Sequence, residues 1–103
     1  MGNAEAYVEK YLVKKATEKN YLCPKFKSPG NAGYPDRCLI GNNYTIFIET
    51  KSDIGKLSKI QKIRIKEMKE KGAYVFVINN RESVDKLIKL IENNELKQNS
   101  ILY

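Results

Sequence analysis

Histidine is absent from the 103 residues, and so is tryptophan. The first absence excludes every mechanism that needs an imidazole, including Ser-His-Asp hydrolysis, histidine-metal nucleases and the usual zinc sites. Hard oxygen ligands remain, and these favour Mg²⁺ or Mn²⁺. There are only two cysteines, Cys23 and Cys38, too few and too far apart for a disulfide framework or a cysteine-based zinc site. They read as buried free thiols, with an approach across neighbouring strands as the other possibility. No run of 18 apolar residues occurs, so a membrane-spanning helix is not expected. The opening Met-Gly-Asn-Ala-Glu-Ala lacks the apolar centre of a signal peptide, and Ala6 stands where an acylation start at Gly2 would need Ser or Thr. A cytoplasmic protein is expected.

What is present suits one folded domain over residues 1–103. Apolar residues make up 42% and charged residues 30%, an ordinary balance for a globular chain. The net charge of +7 is uneven: all of the excess falls within residues 1–71, and residues 72–103 carry equal numbers of acids and bases. A polyanion such as nucleic acid is the natural partner of the basic part, with binding that weakens steeply as salt rises.

The rest of the chain is arranged around residues 33–51. Tyr44-Thr45-Ile46-Phe47-Ile48-Glu49-Thr50-Lys51 is rich in β-branched and aromatic residues and follows a turn signal at Gly41-Asn42-Asn43, so it reads as a strand. Side chains two apart on a strand share a face, which places Glu49 and Lys51 side by side. With Asn42-Asn43 as a two-residue hairpin loop, 41 pairs with 44, and counting back sets Asp36 opposite Glu49. A three-residue loop would turn Asp36 to the other face. Facing carboxylates about 4 Å apart repel by about 4 kcal/mol at an effective dielectric near 20, so such a pair shares a proton or holds a cation. Lys51 beside them suits phosphoryl chemistry, with carboxylates holding a divalent metal and lysine stabilising developing charge. The plain structural reading of the same three residues is an ion-pair network.

Pro35-Asp36, twelve residues, then Glu49-Thr50-Lys51 resembles the PD-(D/E)xK nuclease signature. The flanks narrow the likeness: Glu5 and Glu9, Lys25-Phe26, Ser28-Pro29-Gly30, Gly33-Tyr34-Pro35-Asp36-Arg37, Phe47-Ile48-Glu49-Thr50-Lys51, Gly55-Lys56-Leu57-Ser58 and Gln61. This series, over roughly residues 5–88, resembles the virus-type replication-repair nucleases, the VRR-NUC family, with Tyr34 where Val is commoner. The resemblance implies a Mg²⁺-dependent DNA endonuclease, with Mn²⁺ as a substitute. Asp36, Glu49 and a carbonyl near Thr50 would hold the metal, and a helix glutamate, Glu9 ahead of Glu5, would complete the shell. Lys51 would position or activate the water, and Gln61 would stand near the site. DNA contacts are expected from Lys25, Arg37, Lys56, Lys59, Lys62 and Lys66. The resemblance also implies a homodimer, as for stand-alone members of the family, that cuts branched DNA, flaps or four-way (Holliday) junctions, in replication and repair, in the bacterial host cell if a phage encodes it. A non-catalytic DNA-binding module on the same fold, or a restriction-type nuclease, is the competing reading.

The remaining segments have bland readings as well. Residues 3–19 carry an apolar stripe of Tyr7, Val8, Tyr11, Leu12 and Ala16 and read as a helix, with Glu5 and Glu9 on one face. Tyr21 to Phe26 reads as a short strand, on which Lys25 is either an edge charge or a phosphate contact. Ser28 to Pro35 is a loop, either a connector or a border of the DNA path. Ser58 and Gln61 have capping-box form, a complete structural reason for Gln61. The helix to Lys71 sets Lys59, Lys62, Lys66 and Lys69 on one face unmixed with acids, either solvated or tracking phosphates. Gly72 ends it. Ala73 to Ile78 reads as a central, buried strand parallel to the Glu49 strand, and Asn79-Asn80 opens a last helix. Ser100 to Tyr103 is an apolar tail. The expected fold is α/β, a minimal restriction-endonuclease-like α-β-β-β-α-β core with a C-terminal helix.

Overall fold

Asn42 and Asn43 both adopt left-handed backbone, φ 48° and 70°, which a two-residue turn with the strands' own twist requires. The hairpin they close joins β1 (Arg37–Gly41) to β2 (Tyr44–Thr50) with Gly41 opposite Tyr44 and Arg37 opposite Ile48. The same register carried back one residue sets Asp36 across from Glu49. The structure, a computed structural model, describes residues 4–102. Gly2, Asn3 and Tyr103, which figured in the readings above, lie outside the described residues.

The elements run α1 (Ala4–Glu18), β1, β2, α2 (Lys59–Glu70), β3 (Tyr74–Ile78) and α3 (Arg81–Glu92). They form a three-stranded sheet in the order β1-β2-β3, antiparallel then parallel. α1 and α3 cover one face: Val8, Leu12 and Ala16 meet Leu39, Ile46, Ile48, Phe76 and Ile78 together with Val84, Leu87 and Ile91. β2 therefore alternates, with Ile46, Ile48 and Thr50 turned to that core. Phe47, Glu49 and Lys51 fall on the opposite face, toward α2.

Two expectations change. The stretch from Tyr21 to Phe26 is not a strand but two isolated bridges, Leu22 to Ile40 and Lys25 to Arg37. Leu22 and Ile40 exchange both backbone bonds at 2.9 and 2.8 Å, and Cys38 N donates to Pro24 O at 3.0 Å. Pro24 has no N–H to return, so the ladder breaks there. β3, in turn, lies at an edge of the sheet rather than in its centre. The segment after α3 shields it: Gln98 Nε2 donates to Ala73 O at 2.8 Å, and Leu96 and Leu102 enter the core.

Candidate active site

Several local devices converge on the ends of β1 and β2. Asp36 stands one residue ahead of β1, its position set by the loop before it. Gly33 in that loop adopts φ +90°, and a Cβ there would come within 2.9 Å of the Ile60 backbone oxygen. The loop is therefore pressed against α2. Arg64 of α2 fastens it, donating from Nε to Ala32 O at 3.1 Å and lying 5.1 Å over the Tyr34 ring. Phe26 meets Tyr34 and Phe47 edge-on, at 6.3 and 5.0 Å between ring centres. Nothing in the sequence pattern singled out Arg64, because its partners are a carbonyl and a ring about thirty residues away.

The carboxylate of Asp36 accepts from Thr50 twice, from Oγ1 at 2.9 Å and from the backbone N at 3.3 Å. Glu49 is buried, 5% exposed. Its Oε2 lies 3.7 Å from Lys51 Nζ and accepts from Gln61 Nε2 at 3.3 Å. Gln61 Oε1 also accepts from Ser58 N at 2.8 Å while Ser58 Oγ accepts from Gln61 N, so one side chain both caps α2 and touches Glu49.

Burial chiefly raises the pKa of Glu49, to about 7. The charge of Asp36 and, more weakly, that of Glu5 add to the rise, and Lys51 opposes it. Asp36 is also raised, by burial and by Glu9, against the Thr50 hydrogen bonds that favour its charged form. Two carboxyls that resist ionising together make a place where positive charge is favoured.

The structure thus brings Asp36, Glu49, Lys51, Thr50 and Gln61 together. It does not deliver the expected helix glutamate. Glu9 Oε2 accepts from Arg37 Nε at 2.8 Å, and Arg37 also donates from a terminal nitrogen to Cys23 O at 2.8 Å. Arg37 is correspondingly withdrawn from the surface, its side chain 15% exposed, and joins α1 to β1 instead of facing outward for DNA. Glu5, half-buried, contributes only through its field on Glu49. Among the described residues no three Asp, Glu, Cys or His side chains gather into a set able to hold a metal ion. A Mg²⁺ site built on two carboxylates still fits this donor set, since the ion keeps several waters and takes further ligands from substrate phosphate.

Lys25, Lys56, Lys59, Lys62 and Lys66 are all exposed. The stripe on α2 is not purely basic, because Lys66 Nζ lies 4.0 Å from Glu70 Oε1. Lys62, Lys66 and Lys69 nevertheless edge a shallow groove floored by Leu57 and Ile65. Cys23 and Cys38 are free and half-buried, and burial pushes the Cys23 thiol up to about 11, far from the reactive range. No helix among the described residues is long and apolar enough to cross a membrane.

No family model and no curated protein matches the chain. Among solved structures, one described as "VRR_NUC domain" superposes with a TM-score of 0.79 at 28% sequence identity, over 85% of this chain and 97% of that one.

Proposed function

We propose that this chain, a VRR-NUC-type nuclease domain by that likeness, is a Mg²⁺-dependent endonuclease that hydrolyses phosphodiester bonds in branched DNA. One observation carries the reading: a buried Glu49 beside Asp36, with Lys51 Nζ 3.7 Å away, on a fold of that type. Asp36 and Glu49 are the residues that would hold the metal, with the Thr50 carbonyl as a further oxygen. When bound, such an ion lowers the pKa of water and neutralises phosphate charge, which lets hydrolysis proceed without histidine.

The chain's own side chains supply the remainder. Thr50 and Gln61 orient the two carboxylates by the hydrogen bonds described. The Lys51 ammonium holds the attacking water in place and offsets negative charge developing on the phosphate. Lys25, Lys56, Lys59, Lys62 and Lys66 supply contacts to the sugar-phosphate backbone, which position DNA without reading its sequence. One chain offers one such site, and two copies related by a two-fold axis would present two sites to a junction with two scissile strands.

The absence of a third carboxylate among the described residues favours a second reading, a DNA-binding module that keeps the fold without the chemistry. End-labelled duplex, flap and four-way-junction DNA, incubated with Mg²⁺ or EDTA, separates the two. The nuclease reading expects Mg²⁺-dependent cutting, strongest on a branched substrate and lost in Lys51→Ala. Salt-sensitive binding with no cutting of any substrate would leave the binding module.

A further inference from the structure

We propose that Arg64 is a positioning residue for the site: with Gln61 a turn before it, it makes α2 the element that sets Asp36 against Glu49. This deepens the nuclease reading above, on which its metal-binding part rests.

The two carboxylates reach the site by different routes. Glu49 is carried by β2, and from α2 the Gln61 Nε2 holds its side chain at 3.3 Å. Asp36 stands at the end of a loop with no helix or strand of its own, so its place depends on what grips that loop. Arg64 is the α2 side chain that does so. Its Nε donates to Ala32 O at 3.1 Å, and its guanidinium lies 5.1 Å over the Tyr34 ring. Its stem backs Gly33, where a Cβ would come within 3.0 Å of Arg64 Cγ. Three successive loop residues therefore meet one side chain. The buried Pro35, with φ fixed by its ring, passes that placement on to Asp36. The loop also closes from its other end, because the Phe26 ring meets Tyr34 edge-on and Phe26 N donates to Asp36 O at 2.9 Å.

Plainer roles for Arg64 account for less. Its pair with Glu67, 3.1 Å from a terminal nitrogen, lies on the helix surface with the Glu67 side chain 55% exposed, and such pairs contribute little. As a phosphate contact it is poorly free: Nε is on a carbonyl, a terminal nitrogen is on Glu67, and the plane lies over a ring. A planar guanidinium can donate in its plane and stack by its face at once, which a lysine ammonium cannot.

The direction of the effect on metal binding separates position from charge. Arg64 is a cation on an element beside a site that favours positive charge, so by its field alone its removal would strengthen Mn²⁺ binding. As a positioning residue its removal weakens that binding, by about 10- to 100-fold, the range for groups that orient metal ligands.

Calorimetric titration with Mn²⁺ and amide hydrogen exchange of the metal-free protein test this together. The reporter is the Thr50 amide, which donates to Asp36 Oδ1 at 3.3 Å. It is read against the Ile40 amide, bonded to Leu22 O at 2.8 Å, so that a general loss of stability cancels. In Arg64→Ala, Mn²⁺ affinity is expected to fall by the factor above, and Thr50 to exchange about 2- to 10-fold faster, the worth of one net hydrogen bond. Arg64→Lys, which keeps the charge without the planar fork, is expected to match Arg64→Ala. Gly33→Ala pushes the loop off α2 from the other side and is expected to show the same two losses, whereas Glu67→Ala is expected to show neither. Circular dichroism checks that each variant is folded at the temperature used. Mn²⁺ binding in Arg64→Ala as tight as in wild type, or tighter, would overturn the positioning role and leave the nuclease reading standing. A wild type that takes up no Mn²⁺ would sink the cation site, and Thr50 exchange then decides alone: faster in Arg64→Ala keeps the role, unchanged overturns it.

Discussion

Glu49 has an ordinary pKa of 4.5, raised in the fold to about 7, chiefly by burial and then by Asp36. At about 1.4 kcal/mol per pKa unit, that shift amounts to roughly 3 kcal/mol. Because the folded value lies above the unfolded one, the stabilisation is fully present below pH 4.5 and is lost as pH rises through about 7. Thermal melts of the metal-free protein are expected to show Tm falling across that window, with Glu49→Gln flattening the fall. A wild type and a variant with parallel profiles would contradict it. Lys51→Ala is expected to keep the fold and lower single-turnover cleavage by about 100-fold or more, the scale of a positioned proton-transfer or charge-stabilising group. At this scale the sequence was a partial guide. Asp36 and Glu49 could be placed by counting along a hairpin. The Glu9 to Arg37 pair joins residues 28 apart, and no local pattern records a contact of that kind.

The hairpin and the cap of α2 are the elements that hold the site in shape, and both rest on side chains visible in the sequence. Asn43 sits at φ 70°, where a β-branched residue is strained, and Asn43→Val is expected to cost about 1–2 kcal/mol in denaturant melts. Ser58→Ala removes the acceptor for Gln61 N. It is expected to cost about 1 kcal/mol and also to slow cleavage, because Gln61 reaches Glu49 from the same turn. Equal cleavage by Ser58→Ala and wild type would separate the cap from the site. Turn residues and capping boxes are short-range devices, which is why the hairpin, α2 and α3 were legible, and α1 showed in its apolar stripe. The segment from Tyr21 to Phe26 was not, since its strand-like composition is overridden by Pro24, whose missing N–H matters only once β1 lies beside it. The edge position of β3 was hidden for a related reason. Its residues are buried by helices and by the segment after α3, so an edge strand carries the composition of a central one.

For the whole molecule, the net charge of +7 and the exposed lysines on α2 and its flanks predict binding dominated by phosphate contacts. The logarithm of the DNA association constant is expected to fall linearly with the logarithm of salt concentration. Each lysine removed from the Lys59, Lys62 and Lys66 stripe should reduce the slope by about 1. A slope unchanged by all three substitutions would place the DNA elsewhere. Hydrolysis at this site depends on Asp36 and Glu49 forming one cation site, and calorimetric titration of Mn²⁺ into the folded protein at pH 7.5 or so, above the raised pKa of Glu49, tests that directly. Saturable binding, heat-releasing or heat-absorbing, is expected in the wild type and is expected to be lost in both Asp36→Asn and Glu49→Gln. Binding of equal strength in all three proteins would contradict it.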